Sequence, residues 1–111
     1  LVKLLLKEGA DIGARDRLGR SVLHWTAEKG HLSTAKFLIR NGAPVHHPDN
    51  DGQTPLHEAA KWDQQKITRL FIFHGADVNA KGADGRRPLH LSIANGNMDI
   101  ANLLKRHGAK L

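Results

Sequence analysis

The sequence predicts an all-α solenoid in which helix–turn–helix units stack side by side and are joined by β-hairpin fingers. Three observations carry that expectation. Gly9-Ala10 returns as Gly42-Ala43, Gly75-Ala76 and Gly108-Ala109, a spacing of 33 residues. Leu23-His24 returns at the same spacing as Leu56-His57 and Leu89-His90. Gly19 returns as Gly52 and Gly85. A period of roughly 20–50 residues marks a repeat array, in which each unit buries its apolar face against its neighbours rather than in one central core. Modest apolar content and few aromatics suffice for such an array, so the chain reads as a single domain over 1–111.

The elements follow in order. Residues 1–15 read as the second helix and finger of an earlier unit, with Leu1, Val2, Leu4, Leu5 and Leu6 lacking a partner helix. The unit 16–48 starts its first helix at Ser21-Val22, and Pro44 with His46-His47 alters its finger. The unit 49–81 is the best formed. Asp49-Asn50-Asp51-Gly52 is a turn cluster, with Gly52 free to take a positive φ. Thr54 caps a helix whose first position is Pro55, where a missing N–H costs nothing. That helix runs to about Trp62 and buries Leu56, Ala59 and Ala60. A second helix, from about Gln65 to His74, turns Ile67, Leu70, Phe71 and Ile72 inward and stops at Gly75. Residues 76–80 are extended and lead into the next finger. The unit 82–111 has Gly82 in place of Asp and Arg87 in place of the capping Thr. Lys105 stands where Ile39 and Ile72 stand, at the position that faces a following repeat, so the array is expected to end there.

This pattern resembles the ankyrin repeat. Asp49, Gly52, Thr54-Pro55-Leu56-His57, Ala59-Ala60 and Gly75-Ala76-Asp77-Val78-Asn79-Ala80 all fall in its register, and the resemblance covers the whole chain. The main departure is Trp62-Asp63-Gln64, where Asp63 replaces the family's Gly between the helices; Gly30 and Gly96 keep it. The resemblance implies a non-catalytic protein-recognition scaffold in which His24, His57 and His90 hydrogen-bond backbone between helices and finger. It also implies that binding residues cluster on finger tips and on the exposed side of the first helix. On the fingers these are Arg15, Arg17, Leu18, Arg20, Asn50, Asp51, Gln53, Asp84 and Arg86. The first helices add Trp25, Lys29, Lys61, Trp62 and Asn95, and Glu28, Glu58, Ala83 and Leu91 share the surface. Trp and Arg are frequent interface hot spots, which makes Trp62 the expected central anchor. The expected partner is another protein, with an acidic or amphipathic segment whose carboxylates meet Arg15, Arg17 and Arg20. Two alternatives use the same residues or none: an anion-binding surface for nucleic acid or acidic lipid, and a targeting arm of a larger multidomain protein. A monomer in an intracellular, cytoplasmic setting completes the expectation.

Composition narrows the chemistry. The net charge is +6. Lys3, Lys7, Lys36, Arg40, Lys66, Arg69, Lys105 and Arg106 fall on second helices, as a solvated outer face, and the remaining cations interleave with Asp49, Asp51, Glu58 and Asp84. Charge divided between opposite faces reads as a solubility device rather than a nucleic-acid surface. Without Cys there are no disulfides or thiolate metal sites. The longest apolar run, around Leu4–Leu6, is interrupted by Lys3 and Lys7, far short of a membrane span. His46-His47 with Asp49 is the local His cluster, and His57-Glu58 opens like a zinc-protease motif but has Lys61 where the second His belongs. Asp49, Asp51, Gly52 and Glu58 have calcium-loop spacing, yet His47 replaces the first ligand and Thr54 the apolar anchor. No phosphate loop, nucleophile elbow or carboxylate pair is present, and Ser21, Ser33 and Ser92 lack a base-and-orienter signature. No catalysis, metal or cofactor is expected.

Overall fold

The computed structural model describes residues 15–110. The expected partial unit therefore lies outside the described residues, apart from Arg15. Three helix pairs follow one another: α1 (Val22–Lys29) with α2 (Leu32–Arg40), α3 (Pro55–Lys61) with α4 (Gln65–Phe73), and α5 (Pro88–Ala94) with α6 (Met98–Arg106). The first helices pack as one layer, α1 on α3 on α5, and the second helices as another, α2 on α4 on α6. None of the described helices is long and apolar enough to cross a membrane.

Each first helix starts the same way for the same reason. The residue before it, Ser21, Thr54 or Arg87, is extended, and a histidine three positions on turns its ring back. His24 Nδ1 accepts the Ser21 N–H at 3.1 Å, His57 Nδ1 the Thr54 N–H at 3.0 Å, and His90 Nδ1 the Arg87 N–H at 2.9 Å. The imidazole thus takes the part that Glu or Gln plays in a capping box. Thr54 adds the reciprocal bond, its Oγ1 accepting the His57 N–H at 3.3 Å. Arg87 lacks a hydroxyl, so α5 keeps the histidine half of the device. Pro55 and Pro88 then occupy the first turn, where no backbone donor is needed.

The turn inside each pair needs a left-handed residue. Gly30 and Gly96 supply it with φ of 76° and 72°, and Asp63 adopts the same conformation at φ 58°. The departure in sequence leaves the turn unchanged. Gln64 N–H still reaches Ala59 O at 2.9 Å, as His31 N–H reaches Thr26 O at 3.0 Å and Asn97 N–H reaches Ser92 O at 2.7 Å. A side chain in this conformation costs about 1 kcal/mol, least for Asn and Asp, whose short polar groups tolerate it.

Burial repeats with the period. Leu23, Leu56 and Leu89 fill the first layer, and Leu38, Phe71 and Leu104 fill the second at one repeat position. Ala35 and Ala101, with Thr68 between them, let the second helices approach closely. The three buried hydroxyls on the helices are satisfied locally: Thr26 and Ser92 donate to Leu23 O and Leu89 O at 3.0 and 2.8 Å, and Thr68 donates to Gln64 O at 2.8 Å. Of the four side chains expected to face inward on α4, Ile67 and Phe71 are fully buried, while Leu70 and Ile72 pack half-buried against the core.

The fingers differ from the β-hairpins expected. Among the described residues they contain no strand, and the sole antiparallel bridge joins Arg15 and Ser21. Each finger is instead a short turn closed by two backbone bonds: Asp16 N–H to Arg20 O (3.1 Å), Asp49 N–H to Gln53 O (2.8 Å) and Gly82 N–H to Arg86 O (2.9 Å), each with a tighter bond inside it from Gly19, Gly52 or Gly85 N–H back to the Asp16, Asp49 or Gly82 carbonyl. The turn leaves too few residues for a ladder. Aspartate side chains take up the inner donors, Asp16 Oδ1 accepting from Leu18 and Arg20, and Asp49 Oδ1 from Asp51 and Gln53. At the third finger Gly82 replaces that aspartate, and Asp84 Oδ1 accepts the Arg86 N–H at 3.0 Å. Gly82 is buried, and a Cβ there would meet Gln53 Nε2 at 2.1 Å, so the glycine makes room for the preceding finger's amide.

Candidate functional site

Successive fingers are sewn to each other and to the first helices. Asn50 N–H donates to Leu18 O and Ala83 N–H to Asp51 O, both at 2.8 Å, which links each finger tip to the next. Asn50 Nδ2 adds a bond to Arg17 O at 2.9 Å. From beneath, His24 Nε2 donates to Gln53 O at 2.7 Å and His57 Nε2 to Arg86 O at 3.0 Å. The Gln53 and Arg86 carbonyls each accept twice, once from their own finger and once from the preceding repeat's histidine. These bonds require the Nε2–H tautomer, with Nδ1 free to accept. Burial holds the His24 and His57 imidazoles below the usual histidine pKa, opposed in part by the carbonyl bonds. Both rings are therefore neutral struts.

The fixed fingers and the first helices enclose an open groove of about 470 Å³. Asp51, Gln53, Ala83, Asp84 and Arg86 form its finger wall; Glu58 and Lys61 of α3 and Leu91 and Ala94 of α5, with Asn95 beside them, form its helical wall. Leu91 and Ala94 give the helical wall an apolar strip. The charge is mixed: Asp51, Glu58 and Asp84 against Lys61 and Arg86. Asn95 also has a structural duty, its Nδ2 donating to Lys61 O at 3.2 Å across the repeat boundary.

The structure thus gathers Asp51, Gln53, Lys61, Asp84, Arg86 and Asn95 of the expected contact set into one groove and leaves the others outside its lining. Arg20 connects to it through an ion-pair cluster, its guanidinium 3.6 Å from Glu28 and 3.9 Å from Glu58. Glu58 in turn accepts the Trp62 Nε1–H at 3.0 Å, and the Lys61 ammonium lies 5.3 Å from the Trp62 ring centroid. Trp62 is 46 % exposed and caps the end of α3, beside the groove rather than in it. Trp25, equally exposed, meets the edge of the His31 ring instead of a finger. Lys29, Arg17 and Leu18 are exposed. Arg15 is bound to Pro48 O at 3.2 Å and to His47 Nδ1. Of the three arginines expected to receive carboxylates, two already have partners within the chain, whereas Arg17 stands open.

Ala94 was absent from the sequence reading. Its repeat equivalents, Glu28 and Lys61, stand on the expected surface, but its methyl side chain carries no charge or hydrogen-bonding group to single it out. Asn79 was also missed as a tie: its Nδ2 donates to Gly108 O at 3.0 Å and its Oδ1 accepts the Lys110 N–H at 2.8 Å. Among the described residues no group of three or more His, Cys, Asp or Glu side chains is placed to hold a metal ion. Asp49, which carried the calcium-like spacing, spends its Oδ1 on its own turn.

The family model described as ankyrin repeats (3 copies) matches residues 1–82, and the one described as ankyrin repeat matches residues 84–111. Comparison with curated proteins finds no match. The period, the paired helices and the two family matches agree: the chain belongs to the ankyrin repeat family, whose domains are protein–protein interaction modules and typically non-catalytic.

Proposed function

We propose that this chain binds a partner protein through the groove between its fingers and first helices, taking up an amphipathic segment of mixed charge. The observation that carries the reading is the lining itself: an apolar strip, Leu91 and Ala94, faced by charged side chains of both signs on a wall the finger ties hold rigid. Rigid walls lower the ordering cost of association. The segment lays its apolar side chains on Leu91 and Ala94. Its acidic groups meet Arg86 and Lys61, and its basic groups meet Asp51 and Asp84. Trp62, Trp25, Lys29 and Arg20 extend the contact along the first helices, and Arg17, Leu18 and Asn50 extend it along the finger tips. The chain's division into units at 16–48, 49–81 and 82–111 and its action as a monomer belong to the same reading.

The test is selection of binding peptides from a random library on the immobilised chain, followed by affinity measurement on variants. Arg86→Glu should weaken the selected peptides about tenfold or more, as loss of a central charged contact does. Lys105→Glu, on α6 and outside the groove lining, should change affinity by less than about twofold. Peptides that ignore Arg86→Glu would place binding elsewhere.

A further inference from the structure

Phe73 ends α4 with 84 % of its surface exposed. Its repeat equivalents are Arg40 and Arg106, so the period asks for a cation there and the chain supplies an aromatic ring. Packing does not account for it: the ring meets His74 edge-on, with centroids 5.3 Å apart, and otherwise stands in solvent where shallow clefts converge. Two of these, of about 430 and 440 Å³, are lined by α2 and α4, and Leu32, Ile39 and Leu70 give them apolar walls.

The charge around the ring is one-sided. α2 and α4 carry Lys36, Arg40, Lys66 and Arg69 and no carboxylate. All four are exposed, and among the described residues none is ion-paired. The carboxylate on the neighbouring α6, Asp99, accepts a hydrogen bond from Gln65 Nε2 at 3.3 Å. Four uncompensated cations bordering an exposed aromatic and two apolar recesses are complementary to a ligand that is apolar at its centre and anionic at its edges.

We propose that this face of the second-helix layer is a second docking site, for an acidic protein segment with a bulky apolar anchor. The anchor packs on Phe73 and Leu70 between α2 and α4, and flanking carboxylates pair with Lys36, Arg40, Lys66 and Arg69. The site shares no lining residue with the groove between fingers and first helices, so it stands or falls independently of that groove. The recesses between the helices favour a peptide over a bilayer, because side chains fill them and a planar headgroup surface does not. Phe73 offers one stacking face among aliphatic walls, whereas a nucleic-acid strand stacks successive bases on several aromatics, so the lining favours a peptide over a strand.

Fluorescence anisotropy of the full chain tests this with four probes: a labelled amphipathic peptide with glutamates flanking leucine and phenylalanine, the same peptide with glutamine for glutamate, phosphatidylserine vesicles and oligothymidylate. The glutamate peptide should bind, and the glutamine peptide should bind about tenfold or more weakly, with affinity falling as salt rises. Phe73→Ser and Arg69→Glu should each weaken the glutamate peptide about tenfold, with helical circular dichroism unchanged, whereas Arg86→Glu should leave it unaffected. No binding of the glutamate peptide, preference for vesicles or oligonucleotide, or indifference to Phe73→Ser would overturn the proposal. Loss of binding on Arg86→Glu alone would overturn it too, and would assign the peptide to the groove.

Discussion

His24 and His57 each join three pieces of chain: the start of their own helix through Nδ1, the helix body through their backbone, and the next repeat's finger through Nε2. Their role was legible through the resemblance to the ankyrin repeat, which implies a histidine bonded to backbone at this repeat position. Their acceptors were not, because Gln53 and Arg86 lie 29 residues further on and belong to another unit. Protonation would place an N–H at Nδ1 against the Ser21 or Thr54 N–H. Burial lowers both folded-state pKa values below the ordinary histidine value of 6.5, so the unfolded chain binds more protons as pH falls through that region. Their contribution to stability is therefore complete above the unfolded pKa and is lost as pH drops through it toward the folded values. The urea midpoint should be flat at mildly alkaline pH and decline on acidification. Replacing both residues by Gln should lower the midpoint and flatten the decline; a wild-type midpoint that rises on acidification would contradict the assignment. Asp63 makes a separate residue-scale case. It holds a left-handed conformation that Gly30 and Gly96 hold without strain. Asp63→Gly should raise stability by no more than about 0.5 kcal/mol, the relief of strain less the entropy that glycine adds to the unfolded chain, as read from urea unfolding.

At the scale of the element, helices and fingers were legible to different degrees. Helix ends were readable because Thr54-Pro55, Gly30, Gly75 and Gly96 each impose a local conformation. The fingers were readable as turns but not in their internal bonding, since the choice between a β-ladder and a side-chain-capped turn depends on where Asp16, Asp49 and Asp84 point. Gly52 shows how closely fingers approach. It has φ 74°, and a Cβ there would come within 2.8 Å of the Ala83 backbone nitrogen, the donor that links the finger tips. Gly85 has φ 79° with open space around it. Gly52→Ala should therefore cost about 2 kcal/mol, combining backbone strain with a weakened inter-finger bond, and Gly85→Ala about 1 kcal/mol from strain alone. Equal losses in chemical denaturation would show that the finger contact contributes nothing.

At the scale of the whole molecule, the stack converts a sequence period into two continuous surfaces, one made by fingers and first helices and the other by second helices. Half-legibility of the groove has a physical cause. Asp51, Gln53, Lys61, Asp84, Arg86 and Asn95 could be placed because the period fixes which side of each unit they occupy. The diversion of Arg20 to Glu28 and Glu58 could not, because it depends on where side chains meet, Glu28 within the same unit and Glu58 across a repeat boundary. Phe73 escaped notice because the outer layer read as uniformly solvated and charged. The central claim is that the surface between fingers and first helices is where a partner protein binds. Its most direct test is the footprint of a library-selected peptide, mapped by amide chemical-shift changes on the isotope-labelled chain. For a selected peptide of mixed charge, the account predicts the largest changes at Asp51, Gln53, Lys61, Asp84, Arg86 and Asn95, with the second helices, whose proposed ligand is acidic, quiet. Changes confined to α2, α4 and α6, with those six amides unmoved, would contradict it.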